Sequence, residues 1–273
     1  MRKSGYVIVG VFTLVLLTSG TLIAQPSTAT FNLTGLSSGT QLLAGEDTSP
    51  YVGNVNGGPS MDVICDDIAD NAVIPEQWTA YSTSLSSLTS STTDPYLMFG
   101  TSGTVTGTDS VTGTWTLTQT QAYEVAALLA INILNTTGSM EADYSYALWG
   151  LFDAYGNGVV PGDVGAFGQL EGYGKTNDEN YAETYLNSAI VDVQNGMVGT
   201  STLGSYLSNY NVTIYSYDSN GGAPTCGVGV SCPPPPQEFI TVPEASTPIL
   251  LAVDLLGFMA LVGFLRKRVS QSI

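Results

Sequence analysis

The sequence predicts an α+β fold: a β-rich extracellular domain with about three helices, followed by one C-terminal transmembrane helix. Three observations carry that expectation. Thr-, Val- and Tyr-rich runs of strand length recur along the chain, three windows show helical periodicity with capping residues, and an apolar run near the end is followed by a cluster of bases. Strands interleaved with helices in one stretch indicate a mixed layer architecture.

The elements follow in chain order. Residues 1–24 read as a secretory signal: Arg2 and Lys3 form the positive start, Tyr6 to Leu17 is the apolar stretch, and Ala24 is the cleavage position, with Ala29 as the alternative. Residues 25–218 form the extracellular domain. Its expected strands are Ala29–Leu33, Met61–Ile64, Trp78–Ser82, Val111–Leu117 and Asn211–Tyr217. The first expected helix, Thr120–Leu134, repeats Tyr123, Ala127, Leu128 and Ile131 at helical spacing, with Thr118 or Thr120 as cap. The second, Ser139–Ala154, has Ser139 as N-cap and Glu141 in its first turn. The third, Asn177–Asn195, opens with Asp178 and Glu179 at the positive dipole end and stops at Gly196.

Composition excludes several functions. Lys175 is the only base between residues 25 and 242; one base against 21 acids leaves the body near −20. A domain without Arg lacks the bidentate fork that grips phosphate, and its field repels a nucleic-acid backbone, so no nucleic-acid partner is expected. The chain has no His, which removes the commonest general base and metal ligand, and no cofactor is expected. No catalytic constellation is recognisable, and the chain reads as a non-enzyme. The 43% hydrophobic content and 15 Tyr supply enough apolar surface for a core, which argues against disorder.

Residues 219–242 read as a Gly/Pro-rich linker: a glycine-rich joint and then Pro233 to Pro236 as a stiff spacer. Within it Cys226 and Cys232 are close enough to close a small disulfide loop in an oxidising setting, leaving Cys65 free. After the linker come Val242-Pro243-Glu244-Ala245-Ser246-Thr247, the apolar run 249–265, and Arg266-Lys267-Arg268. The run is at the lower limit for spanning a bilayer, and the bases orient it with the body outside the cytoplasm.

This three-part order, over residues 243–268, resembles the PEP-CTERM sorting signal of Gram-negative bacteria; it departs from the family in Ala245, where Pro is usual, and in Asp254 within the helix. The resemblance implies an exported, inner-membrane-anchored precursor, processing by an exosortase-type enzyme, and delivery to the cell surface or an exopolysaccharide matrix. The expected role is structural or adhesive. The alternative is a carbohydrate-binding module, with Trp78, Trp115 and Trp149 as sugar platforms, or a carboxylate-dependent polysaccharide hydrolase.

Two further features concern the body. Asp66, Asp67 and Asp70 form the most acidic short cluster and are weak calcium candidates, without the spacing of an EF-hand. Adjacent strand residues point to opposite faces, so Asp66 and Asp67 make a poor glycosidase pair. Cys65 before acidic residues, with Tyr146-Ala147-Leu148-Trp149 on a later helix, resembles the thioester domains of bacterial surface adhesins. Those domains link a Cys to the Gln of a Thr-Gln-x-Ala-like motif. The matching position here is Ser145, so the resemblance implies a related scaffold with its reactive bond absent.

Overall fold

A computed structural model describes residues 27–68, 72–91, 93–111, 113–155, 164–227 and 237–243. The strands are β1 (Ser27–Leu36), β2 (Leu42–Leu43), β3 (Glu46–Asp47), β4 (Tyr51–Val55), β5 (Met61–Cys65), β6 (Glu76–Ser84), β7 (Thr104–Asp109), β8 (Gly113–Thr118), β9 (Met197–Val198), β10 (Ser201–Thr202), β11 (Thr213–Tyr217), β12 (Thr225–Cys226) and β13 (Phe239–Thr241). The helices are α1 (Gln119–Asn135), α2 (Ser139–Phe152), α3 (Gly165–Gly172), α4 (Thr176–Asn195) and α5 (Leu203–Leu207). The fold is mixed α and β as expected, with five α-helices among the described residues where about three were predicted.

The main sheet runs β1-β4-β5-β13-β11-β6-β12, and β6 also pairs with β1, so six strands close into an antiparallel, barrel-like ring. Closure leaves those strands no open edge, while β12 extends β6 beyond β11. Side chains alternate between two cores, as the strand period requires. Phe31, Leu33, Trp78, Tyr215 and Phe239 fill the ring, and Phe31 lies 4.8 Å from Trp78 and 5.3 Å from Phe239 between ring centroids. Outward-facing Ile64, Ile214 and Ile240 join the second core, built on α1, α2 and α4.

The helices form where the sequence stores their signals. Thr118 caps α1 in a reciprocal box: its hydroxyl accepts from the Gln121 amide, and Gln121 Oε1 accepts from the Thr118 amide at 3.0 Å. Gly196 ends α4 in the left-handed region at φ 66°. The N-cap of α2 is Gly138 rather than Ser139, and the helix ends at Phe152. Val111 falls in the turn of the β7–β8 hairpin, so the predicted strand begins two residues later.

The expected boundary at residue 218 does not hold. Both β12 and β13 lie beyond it, and β13 is central, bonded to β5 on one side and β11 on the other. The expected linker 219–242 therefore contains two strands of the sheet, and its residues 228–236 lie outside the described residues. Val242, expected as the first residue of the sorting motif, packs in the helical core at 6% exposure. Pro243 is the last described residue of that segment. Glu244 to Thr247, Arg266 to Arg268 and the expected signal lie outside the described residues. No helix among the described residues is long and apolar enough to cross a membrane, and the expected span 249–265 falls outside them.

Candidate functional site

The site forms where β5 and β13 end together. Cys65, the last residue of β5, stands opposite Phe239 in register, so the residues just beyond the ladder, Asp66 and Asp67 on one chain and Glu238 and Gln237 on the other, also face each other. Cys65 is a free, buried thiol, as expected. Its Sγ lies 3.0 Å from Oε1 of Gln237 and 3.0 Å from the backbone carbonyl of Asp67, two acceptors for one thiol hydrogen. The same Asp67 carbonyl accepts from Gln237 Nε2 at 3.3 Å, which holds the amide against the sulfur.

The backbone of Cys65 is fixed independently. Its amide donates to Ser49 Oγ at 3.0 Å, and its carbonyl accepts from the Trp149 indole at 3.0 Å. Tyr146, one helical turn earlier on α2, donates to the Leu43 carbonyl at 2.8 Å. The Tyr146–Trp149 segment of α2 thus meets Cys65 through the Trp149 indole. Ser145 is buried and donates back to the Glu141 carbonyl within α2.

Position 145 is Ser, as the sequence shows, but a carboxamide does stand at the sulfur: that of Gln237, 172 positions away. Sequence reading missed it because Gln237 directly follows Pro233 to Pro236 and was absorbed into the linker. The available signal was the strand-like Phe239-Ile240-Thr241-Val242 immediately after it, which is too apolar for a spacer.

A small cleft reaches the Gln237 side of the pair, lined by Glu46, Asp47, Tyr51, Asp67, Trp149 and Gln237. Its polar character is acidic, and Glu46 is held in place by Gln169 Nε2 at 2.9 Å. Burial, then the neighbouring Asp67 and Asp66, push the Cys65 thiol well above its ordinary range, so the sulfur rests protonated.

Behind the pair, on the helix side, lies a second one. Asp66 and Glu238 are both fully buried. Glu238 accepts from the Tyr123 hydroxyl, from Ser216 Oγ and from the Met98 amide at 2.9 Å. Neither oxygen of Asp66 meets hydrogen-bond geometry with a donor; its side chain lies against Glu238, where a proton between the two carboxyls is the bond available to them.

The other sequence candidates are placed differently. Among the described residues no group of three His, Cys, Asp or Glu side chains is arranged to hold a metal, and Asp70 lies outside them. Asp66 and Asp67 do diverge, one to the dry interior and one to the cleft, so they form no common calcium shell. Trp78, Trp115 and Trp149 are all buried, which removes them as sugar platforms. Asp66 and Glu238 are wholly buried, so that pair is not open to the sugar ring that a glycosidase holds between its two acids. Cys226 is disulfide-bonded; its expected partner Cys232 lies outside the described residues.

No protein-family model, no characterised protein and no solved structure matches this chain.

Proposed function

We propose that this chain is an exported surface protein whose barrel carries an internal thioester between Cys65 and Gln237, used to attach covalently to its surroundings. The observation that carries the reading is the approach of Cys65 Sγ to within 3.0 Å of the Gln237 carboxamide oxygen in a buried site that opens to a cleft. Formation balances without any co-reactant. The sulfur bonds to Gln237 Cδ, the Cδ–Nε2 bond breaks, and the thiol proton leaves with that nitrogen as ammonia.

The product is an activated acyl group protected from water by burial. When a primary amine enters the cleft, its nitrogen attacks Cδ, the C–S bond breaks, and a proton from the amine returns to the Cys65 sulfur. The acidic lining of Glu46, Asp47 and Asp67 favours cationic amines over anionic nucleophiles. The resemblance to surface thioester domains supports the same reading once the acyl partner is sought at Gln237 rather than Ser145.

The rest of the reading concerns placement. The signal at residues 1–24 would export the chain. The tail, with its apolar run 249–265 and Arg266-Lys267-Arg268, would hold the precursor in the inner membrane of a Gram-negative bacterium. An exosortase-type enzyme would then pass it to the cell surface or to an extracellular polysaccharide matrix. The role is adhesive, with the thioester making the attachment permanent.

Intact-mass measurement of the full chain tests the thioester. The protein should be lighter than its sequence by one ammonia, with the deficit absent in Cys65→Ala and Gln237→Ala. Methylamine should react with it, adding its own mass and freeing one thiol. A wild-type mass equal to the unmodified sequence, with a thiol titratable after unfolding, would sink the proposal.

A further inference from the structure

The β5–β13 ladder is short. Its paired positions are Ile64 with Ile240 and Cys65 with Phe239, and the next backbone bond, from the Asp66 amide to the Glu238 carbonyl, is stretched to 3.4 Å. The reactive side chains sit at this fraying end, Cys65 at the last rung and Gln237 two residues before its partner. Strand ends that have left the ladder are held by side chains or not at all. On the β13 side the hold is Glu238, with its three donors from α1, β11 and the loop before β7. On the β5 side, the Asp66 carboxyl faces Glu238 and, among the described residues, meets hydrogen-bond geometry with no donor.

We infer that the Asp66–Glu238 pair is the positioning device of the Cys65–Gln237 site, keeping both strand ends in reach of each other only while a single proton is shared between the two carboxyls. The inference rests on the thioester reading above. It assigns a role to the two acids, which touch neither the sulfur nor the amide and so act through the strands that bear them.

The electrostatics make the device pH-dependent. Burial first, then the facing Glu238, hold the Asp66 carboxyl well above the usual carboxylate range. Burial also raises Glu238, against the opposing pull of Ser216, Tyr123 and Met98. The other titratable groups facing the pair are Tyr123 from α1, and Cys65 and Asp67 from the same chain segment; all are acids. Burial, then the neighbouring acids Glu238 and Asp66, raise the Tyr123 hydroxyl well above its ordinary range. Lys175, the one base among the described residues, caps the start of α4 and is not among the groups that act on the pair. With no cation among the described residues to offset it, a second negative charge here is strongly disfavoured. When alkaline solution finally removes the shared proton, two carboxylates in contact repel, the 3.4 Å rung opens, and Cys65 is drawn away from Gln237.

The test is ammonia release as the full-length chain folds from denaturant, followed from mildly acidic to alkaline buffer, with intact mass confirming the bond. Counting ammonia separates formation from later hydrolysis. For wild type, release should fall by about tenfold for each pH unit beyond the loss of the shared proton. Asp66→Asn keeps the shape and donates to Glu238 at every pH, so its release should show no alkaline fall. Glu238→Gln removes the repulsion from the other side and should behave alike, which decides the matter if the first variant does not fold. Equal alkaline falls in wild type and in the folded variants would overturn the positioning role while leaving the thioester intact. Absence of release from wild type at every pH would instead remove the thioester, and this inference with it.

Discussion

Trp149 donates its indole N–H to the carbonyl of Cys65 across 3.0 Å, and both residues are buried. The bond joins α2 to the end of β5 and so connects the helical core to the site in the ring. Cys65 is at the last rung that β5 shares with β13, and its carbonyl is met there by a side chain from the helical layer. Trp149→Phe keeps most of the ring volume but orphans that acceptor. Leaving a buried carbonyl unpaired costs about 1–3 kcal/mol. We expect a loss of that size in the unfolding free energy measured in urea and slower release of ammonia during folding, whereas Trp115→Phe should leave ammonia release unchanged.

Phe31 is fully buried and lies between Trp78, Tyr215 and Phe239. It is the centre of the ring's core. Phe31→Ala should cost about 3–5 kcal/mol, because a ring-filling aromatic leaves a void that six hydrogen-bonded strands cannot collapse into. Chemical denaturation measures this directly.

Gly150 gives a contrast within the helices. A Cβ there would overlap the ring of Phe167 on α3, whereas one at Gly172 meets open space. Gly150→Ala should destabilise by about 1–3 kcal/mol through overpacking, despite the better helix propensity of Ala. Gly172→Ala should be neutral or slightly stabilising. Equal thermal shifts for the two would contradict the packing described.

The parts of this fold that were legible in the sequence are those whose signals are local. The caps of α1 and α4 and their apolar spacing lie within a single window of sequence. Strand β4, Tyr-Val-Gly-Asn-Val, was hidden by its central glycine, which reads as a loop residue. The structure shows why Gly53 is needed: a Cβ would approach the Asn32 carbonyl of the neighbouring strand to 2.9 Å. Helix α3 was missed because three of its eight residues are Gly. The site was half legible. Cys65 and Trp149 stood out, but Gln237 becomes meaningful only when β13 is inserted between β5 and β11, a pairing set by topology and not by any local pattern.

Stability should depend on pH in the direction opposite to that of most proteins at acid pH. Burial raises Glu76 and Glu141 from 4.5 to about 7, and Asp143 from 3.8 to about 7. A carboxyl raised in the folded state binds its proton more tightly than in the unfolded chain. Below the unfolded values both states are protonated and nothing is lost. Between those values and about 7 the unfolded state ionises first, so folding stability declines as pH rises, then levels off. The formal charge of −17 at neutral pH adds repulsion of the same sign. Melting temperatures across this range should fall from mildly acidic to neutral buffer. A rise would show that the acids are better solvated than their burial implies.

The position of β13 predicts where the chain can be cut. Truncation after Asp218, at the boundary that composition alone indicates, removes the strand bonded to both β5 and β11 and opens the ring. It exposes Phe239's pocket between Phe31, Tyr51 and Trp78, and it strips Tyr123 and Ser216 of their acceptor Glu238. Burial of Phe239, Ile240 and Val242 contributes about 1.5–3 kcal/mol each. Together with the lost ladder bonds this matches the 5–15 kcal/mol by which a domain of ordinary stability stays folded. Truncation after Pro243 removes none of these contacts. The shorter chain should therefore lack a cooperative thermal transition and release no ammonia, while the longer one should melt like the full-length chain and release ammonia as it does. If the chain ending at Asp218 melted cooperatively with native-like circular dichroism, β13 would be an accessory to the ring, and Gln237 would lose its claim as the partner of Cys65.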